Sequence, residues 1–226
     1  MATIQFQKDI NKDVRNWWEA NNHLSYGFDF SEKCPPEIKK KIKGKKFSKV
    51  KDYIEKHIKK YYKNYPQWKK ENEKNLKPYE KETIQKLERI HKKKFPVEFI
   101  DIYYTSFPRN PYGGGKKRFW TQIYMHEKDK QKLLVTIIHE LMHLFFHKYY
   151  WKTCKKKGLN DEETHDIKEA FSVLINEEFK NLKLKDKGYD SHQKIRKHIL
   201  REWKKKKDFP KVLDLTIKYY KQKCQN

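Results

Sequence analysis

The sequence is short of cysteine, of arginine, of glycine and of long apolar runs. Cys34, Cys154 and Cys224 are its three cysteines, odd in number and far apart along 226 residues. Without a paired C-x-x-C spacing they offer neither a zinc ribbon nor a disulfide framework, and they predict free thiols in a reducing, cytoplasmic setting. The first residues, MATIQFQKDINKDV, lack the apolar run of about seven to fifteen residues that a secretory leader carries. No stretch approaches the roughly 18 apolar residues of a membrane-spanning helix, so no membrane partner is expected.

Arginine is the next scarcity. Only Arg15, Arg89, Arg109, Arg118, Arg196 and Arg201 stand among 55 basic residues, and the lysines are spread along every segment. The formal charge of +25 and pI of about 9.7 would attract nucleic acid, anionic membrane or acidic protein. Base edges, however, are read chiefly by arginine forks, and a basic stripe is missing. The charge therefore reads as a solvated basic surface, and no specific nucleic acid is expected. What the chain has is aromatic bulk: 15% Phe, Trp and Tyr against 36% hydrophobic residues, enough to build a globular core.

Periodicity supplies the outline. A helix is expected around DINKDVRNWWEANN, with a break at Cys34-Pro35-Pro36. Helical spacing of Val50, Ile54 and Ile58 follows in the Lys-rich segment 37–65, which Pro66 is expected to stop. Another helix is expected over 78–94. The period then changes. VEFIDIYYT and RFWTQIYMH read as strands at 97–105 and 118–126. Between them lies a loop with Pro108, Pro111 and Gly113–Gly115, either a hairpin connection or a flexible lip. Helices are expected over 128–150, 162–179, 191–205 and 212–221, with a stop and a new N-cap at Gly158-Leu159-Asn160-Asp161 and Pro210 between the last two. This is an α+β pattern. It divides into an N-terminal helical region, 1–95, packing on a catalytic part, 96–226.

The segment IIHELMHLFFH carries the chemistry. Leu133, Leu134, Ile137, Ile138, Leu141, Met142 and Phe145 form one apolar seam. His139 and His143 lie one turn apart on an adjacent stripe, where two imidazoles can share one tetrahedral zinc. Glu140 points about 100° round the helix from His139, away from ligation but within reach of a water on the metal. This is the HExxH arrangement, in which the glutamate is the general base. Burying two histidines and a glutamate without a ligand would strand polar groups at about 1–3 kcal/mol each. His147 is eight residues past His139, about 12 Å along a straight helix, and is no third ligand. The third-histidine pattern also needs a glycine turn, which Leu144-Phe145-Phe146 does not supply.

The chain resembles the gluzincin metallopeptidases, the thermolysin-like branch of the zincins, over about residues 97–180. There the third ligand is a glutamate on the next helix that opens a Glu-Ala-x-Ser-Asp run; this chain reads Glu169-Ala170-Phe171-Ser172-Val173. The resemblance implies a zincin-like fold, with a small sheet packed on an active-site helix and a glutamate helix. It also implies a Zn2+ cofactor held by His139, His143 and Glu169. His165, one turn before Glu169, remains the competing ligand, with Glu162, Glu163 and Glu177 behind it. The departure is Val173, where the family carries the aspartate that supports a histidine ligand; Asp166 and Asn176 are the candidate substitutes.

The implied activity is hydrolysis of a peptide or protein substrate. A zinc-activated water attacks the carbonyl, Glu140 shuttles the proton, and a Tyr or His donor steadies the oxyanion. Tyr189 and His192, in GYDSH, are the candidates for that donor. The strand at 118–126 is the candidate edge for pairing with extended substrate. Two other readings compete: an HExxH zinc site kept for structure or regulation, and a basic nucleic-acid-binding protein in which the motif is incidental. Sequence gives no oligomeric state and no cleavage specificity.

Overall fold

The computed structural model describes residues 2–25, 28–124 and 130–223. The fold is α+β. A four-stranded mixed sheet contains β1 (Thr3–Gln7), β2 (Phe99–Thr105), β3 (Tyr112–Gly114) and β4 (Arg118–Tyr124), in the order β1-β2-β4-β3. β1 and β4 flank β2 in parallel, while β3 runs antiparallel to β4. β1 has no counterpart in the sequence reading, because TIQFQ offers only Ile4 and Phe6 as apolar alternation. Its register, Ile4 opposite Ile100 and Phe6 opposite Ile102, is supplied by its partner strand.

Two compact units divide the chain. One contains Ala2–Pro78 and Val97–Lys130, and the other Tyr79–Pro96 and everything from Gln131 onward. The strands at 97–124, expected beside the catalytic helices, thus group with the N-terminal helices.

In the sheet-bearing unit, Asp9 caps α1 (Ile10–Asn22) by accepting from the Asn11 and Lys12 amides. α1 buries Val14, Trp17 and Ala20 with Ile38 and Ile42 of α2 (Pro36–Ile42) and Val50, Ile54 and Ile58 of α3 (Phe47–Ile58). Asp13, fully buried, accepts from Thr105 Oγ1 at 2.5 Å and Ser106 Oγ at 2.7 Å, tying α1 to the end of β2. Burial raises its carboxyl pKa, against the pull of those hydrogen bonds.

β4 is not the free edge expected of it. β2 lies on one side, and β3 pairs with Phe119–Thr121 on the other. The triple glycine belongs to that hairpin, Gly113 and Gly114 within β3 and Gly115 in the turn to β4; a Cβ on Gly114 would fall 2.7 Å from the Arg118 carbonyl oxygen.

The helix expected to stop at Pro66 instead ends in a 3-10 turn at Lys59–Asn64, and α4 (Tyr65–His91) begins there. Proline is tolerated in a first turn because its missing N–H would have no partner. Pro78 lies inside α4, where the expected helix began.

The second unit is helical: the rest of α4, then α5 (Lys130–Tyr149), α6 (Trp151–Lys156), α7 (Asp161–Phe171), α8 (Leu174–Glu178), α9 (Gln193–Lys206) and α10 (Phe209–Lys223). Gly158 at φ +83° follows the end of α6, and Asn160 caps α7, the stop and new N-cap the sequence predicts; the capping box to Glu163 and the short α6 are additions of the structure. The single helix expected over 162–179 breaks at Ser172–Val173 into α7 and α8. Pro210 lies in the first turn of α10 rather than between helices. The far ends of the strand expected at 118–126 and the first residues of the helix expected at 128–150 lie outside the described residues, as does Cys224. Among the described residues no helix is long and apolar enough to cross a membrane.

Candidate metal centre

α5 buries its seam as expected, from Leu133 to Phe145. This fixes the helix's rotation and turns His139 and His143 toward α7, with ring centroids 4.2 Å apart. α7 is anchored by Ile167, Ala170 and Phe171, each essentially inaccessible. Ala170 is small, and the neighbouring Glu169 is buried facing both rings. Glu169 Oε2 lies 3.3 Å from His139 Nε2, and Glu169 Oε1 lies 3.5 Å from His143 Nε2. One donor atom from each of the three residues falls within 4.8 Å of the others.

These separations fit zinc. Metal–ligand bonds of about 2.0–2.2 Å give a tetrahedron whose edges are about 1.63 times as long, about 3.3–3.6 Å, the range in which each ring nitrogen meets one or other oxygen of the Glu169 carboxylate. The donor set, two imidazoles and a carboxylate, is that of an open His2Glu site. His165, the competing ligand, is outside the group: its Nε2 lies 3.3 Å from Glu169 Oε1, as a neighbour of the carboxylate. His147 stacks on Trp151, with centroids 4.5 Å apart, and is also outside it.

The electrostatics follow from burial and pairing. Burial alone would lower the His139 pKa, but hydrogen bonds to Asp186 and Glu169 raise it to about 10. Burial holds His143 well below the ordinary histidine range. Burial would raise Glu169, yet His143, Lys168 and His139 together hold it well below the usual carboxylate range. Burial pushes Glu140 up to about 7, with the Glu169 charge adding to the rise and His139 opposing it. Glu140 Oε2 is buried and has no hydrogen-bond partner among the described residues; His143 Nδ1 stands 3.6 Å away.

Three contributors escaped the sequence reading. Asp186 Oδ2 accepts from His139 Nδ1 at 2.8 Å, which fixes the ring so that Nε2 faces Glu169. This is the support expected from Asp166 or Asn176. Asn176 plays a different part, holding the Asp186 backbone with two hydrogen bonds. Arg196, 2% exposed, pairs with Asp186 Oδ1 at 2.9 Å and donates to its carbonyl and to Ser172 Oγ. Lys168, also 2% exposed, places Nζ 2.8 Å from Glu169 Oε1. Asp186 lies in a lysine-rich loop with no local signal. Its only sequence-level trace is the general need of a ligating histidine for an acceptor on its other nitrogen.

Asp166 serves His192 instead. His192 Nε2 lies 3.1 Å from Asp166 Oδ1, and Tyr220 Oη donates to Asp166 Oδ2 at 2.9 Å. The other ring nitrogen, Nδ1, is buried with no partner among the described residues. Tyr189 packs edge-on against His192 with centroids 5.4 Å apart. Tyr189 is 39% exposed as a residue, yet its phenol is pushed up to about 12, by desolvation first and then by the charge of Glu169, with Glu140 and Asp186 adding smaller contributions. Tyr189 therefore lies within the field of the site's carboxylates.

Comparison with protein-family models, with curated proteins and with solved structures finds no match. The centre is characterised by its own geometry.

Proposed function

We propose that the chain is a zinc-dependent peptidase of gluzincin type, with His139, His143 and Glu169 holding the metal and Glu140 as general base. The supporting observation is the convergence of two ring nitrogens from α5 and a carboxylate from α7, with Glu140 Oε2, which has no hydrogen bond among the described residues, beside His143. When bound, zinc would supply Lewis-acid polarisation and acidify a water toward a pKa of about 7.

The chain's own groups do the rest. Asp186, clamped by Arg196, orients His139. Glu140 takes the proton of the attacking water at Oε2 and returns it to the leaving amine, a role suited to a buried carboxylate oxygen with no hydrogen bond among the described residues. Tyr189, with its pKa near 12, stays protonated at neutral pH and is the candidate donor to a developing oxyanion. His192 is held by Asp166 at Nε2, the opposite ring nitrogen to the one by which Asp186 holds His139. The free thiols of Cys34 and Cys154, both buried, fit a reducing cytoplasm.

Metal analysis joined to Glu140→Gln tests the proposal. The variant should keep one equivalent of zinc and lose peptide hydrolysis. A purely structural site would keep zinc with no hydrolysis in the parent either. A chain without stoichiometric zinc that binds nucleic acid with a steep salt dependence would sink the peptidase reading.

A further inference from the structure

Lys168 is a charged group at the centre that catalysis does not require. It sits on α7 immediately before Glu169, and its side chain is buried to its end. A buried ammonium needs a counter-charge, and Glu169 Oε1 provides it at 2.8 Å. That oxygen is the one facing His143 Nε2, so the lysine holds an atom of the candidate ligand set.

A second contact points the same way. Lys168 Nζ lies 3.3 Å from His143 Nδ1. An ammonium offers only donors, so it takes up acceptors on two of the three candidate ligand residues at once. Both contacts set the Lys168 ammonium where its charge opposes that of an incoming metal ion.

We propose that Lys168 is an internal competitor for the metal: its ammonium occupies Glu169 and His143 in the metal-free protein, and zinc loads only by displacing it. The proposal rests on the reading of His139, His143 and Glu169 as ligands. It makes metal occupancy adjustable, because a centre that already holds a cation loads over a higher range of zinc concentration than an open one. The positive charge is the cause, since a second cation a few ångströms from the metal repels it in a poorly solvated site.

The test uses the full chain, stripped with a chelator and titrated with Zn2+ against a chromophoric competitor, with Co2+ absorption reporting the ligand set. Lys168→Met and Lys168→Gln remove the charge, while Lys168→Arg keeps it; circular dichroism checks each fold, and either neutral variant suffices. The neutral variants should bind Zn2+ about tenfold tighter or more, with Lys168→Arg close to the parent. Equal or weaker binding by the neutral variants overturns the competitor and leaves the metal centre standing. If the parent takes up no metal and a neutral variant takes one equivalent, the competitor stands and the resident-zinc peptidase falls. If none of the chains binds metal, both fall.

Discussion

His91 lies at the end of α4, 1% exposed, in an aromatic cage. Phe145 stacks on it at 4.4 Å and 8°, with Phe209 at 4.4 Å and Tyr150 at 5.6 Å. Neither ring nitrogen has a partner among the described residues. Burial lowers its pKa from 6.5 to about 3. A histidine depressed in the folded state binds fewer protons than in the unfolded chain, so its contribution to stability falls as pH drops from about 6.5 toward 3. At pH 4.5 the cost relative to pH 7.5 is about 2–3 kcal/mol, at about 1.4 kcal/mol per pH unit. His91→Phe fits the cage, removes the titration and relieves the stranded nitrogens.

Guanidinium unfolding of parent and variant at pH 7.5 and pH 4.5 measures the difference, and every other titrating group cancels between the two proteins. The variant's advantage should grow by about 2–3 kcal/mol on acidification. An advantage that does not change with pH would show that the imidazole is hydrated or paired in the folded protein, and the argument from burial would fail.

Two further outcomes follow from the clamp on His139. Asp186→Asn should weaken zinc binding by about 10–100-fold, read by chelator competition, because the ring loses the carboxylate that orients it. Gly188→Ala should destabilise the fold by at least about 1 kcal/mol in chemical unfolding and loosen zinc as well. Gly188 sits at φ +62°, and an added Cβ would fall 2.5 Å from Arg196 Nη1, displacing the guanidinium that pairs with Asp186.

The helices came from periodicity wherever the apolar stripe was continuous: α1 and α5 lie where their sequences predict, while α7 starts where expected and ends early, at Phe171. The errors fall where local signals are ambiguous. Pro66 and Pro210 resemble terminators, yet both open helices, since proline suits a first turn as well as a break. β1 carries too few apolar residues to declare itself and exists because β2 offers an edge. Ser172 and Val173 continue the helical pattern, but the chain turns there, bringing Asn176 to the Asp186 backbone.

Spacing along one helix was enough to determine that His139, Glu140 and His143 share a small volume, because 3.6 residues per turn fixes their separation whatever surrounds them. No such period links α5 to α7, or either to the loop at Asp186. Which carboxylate meets the two rings, which one orients His139 and which lysine stands beside them depend on how separate segments pack, and a one-dimensional pattern carries no record of that. Only the tertiary structure could bring Glu169, rather than His165, to face both rings, put Asp186 rather than Asp166 on His139, and place Lys168 against Glu169.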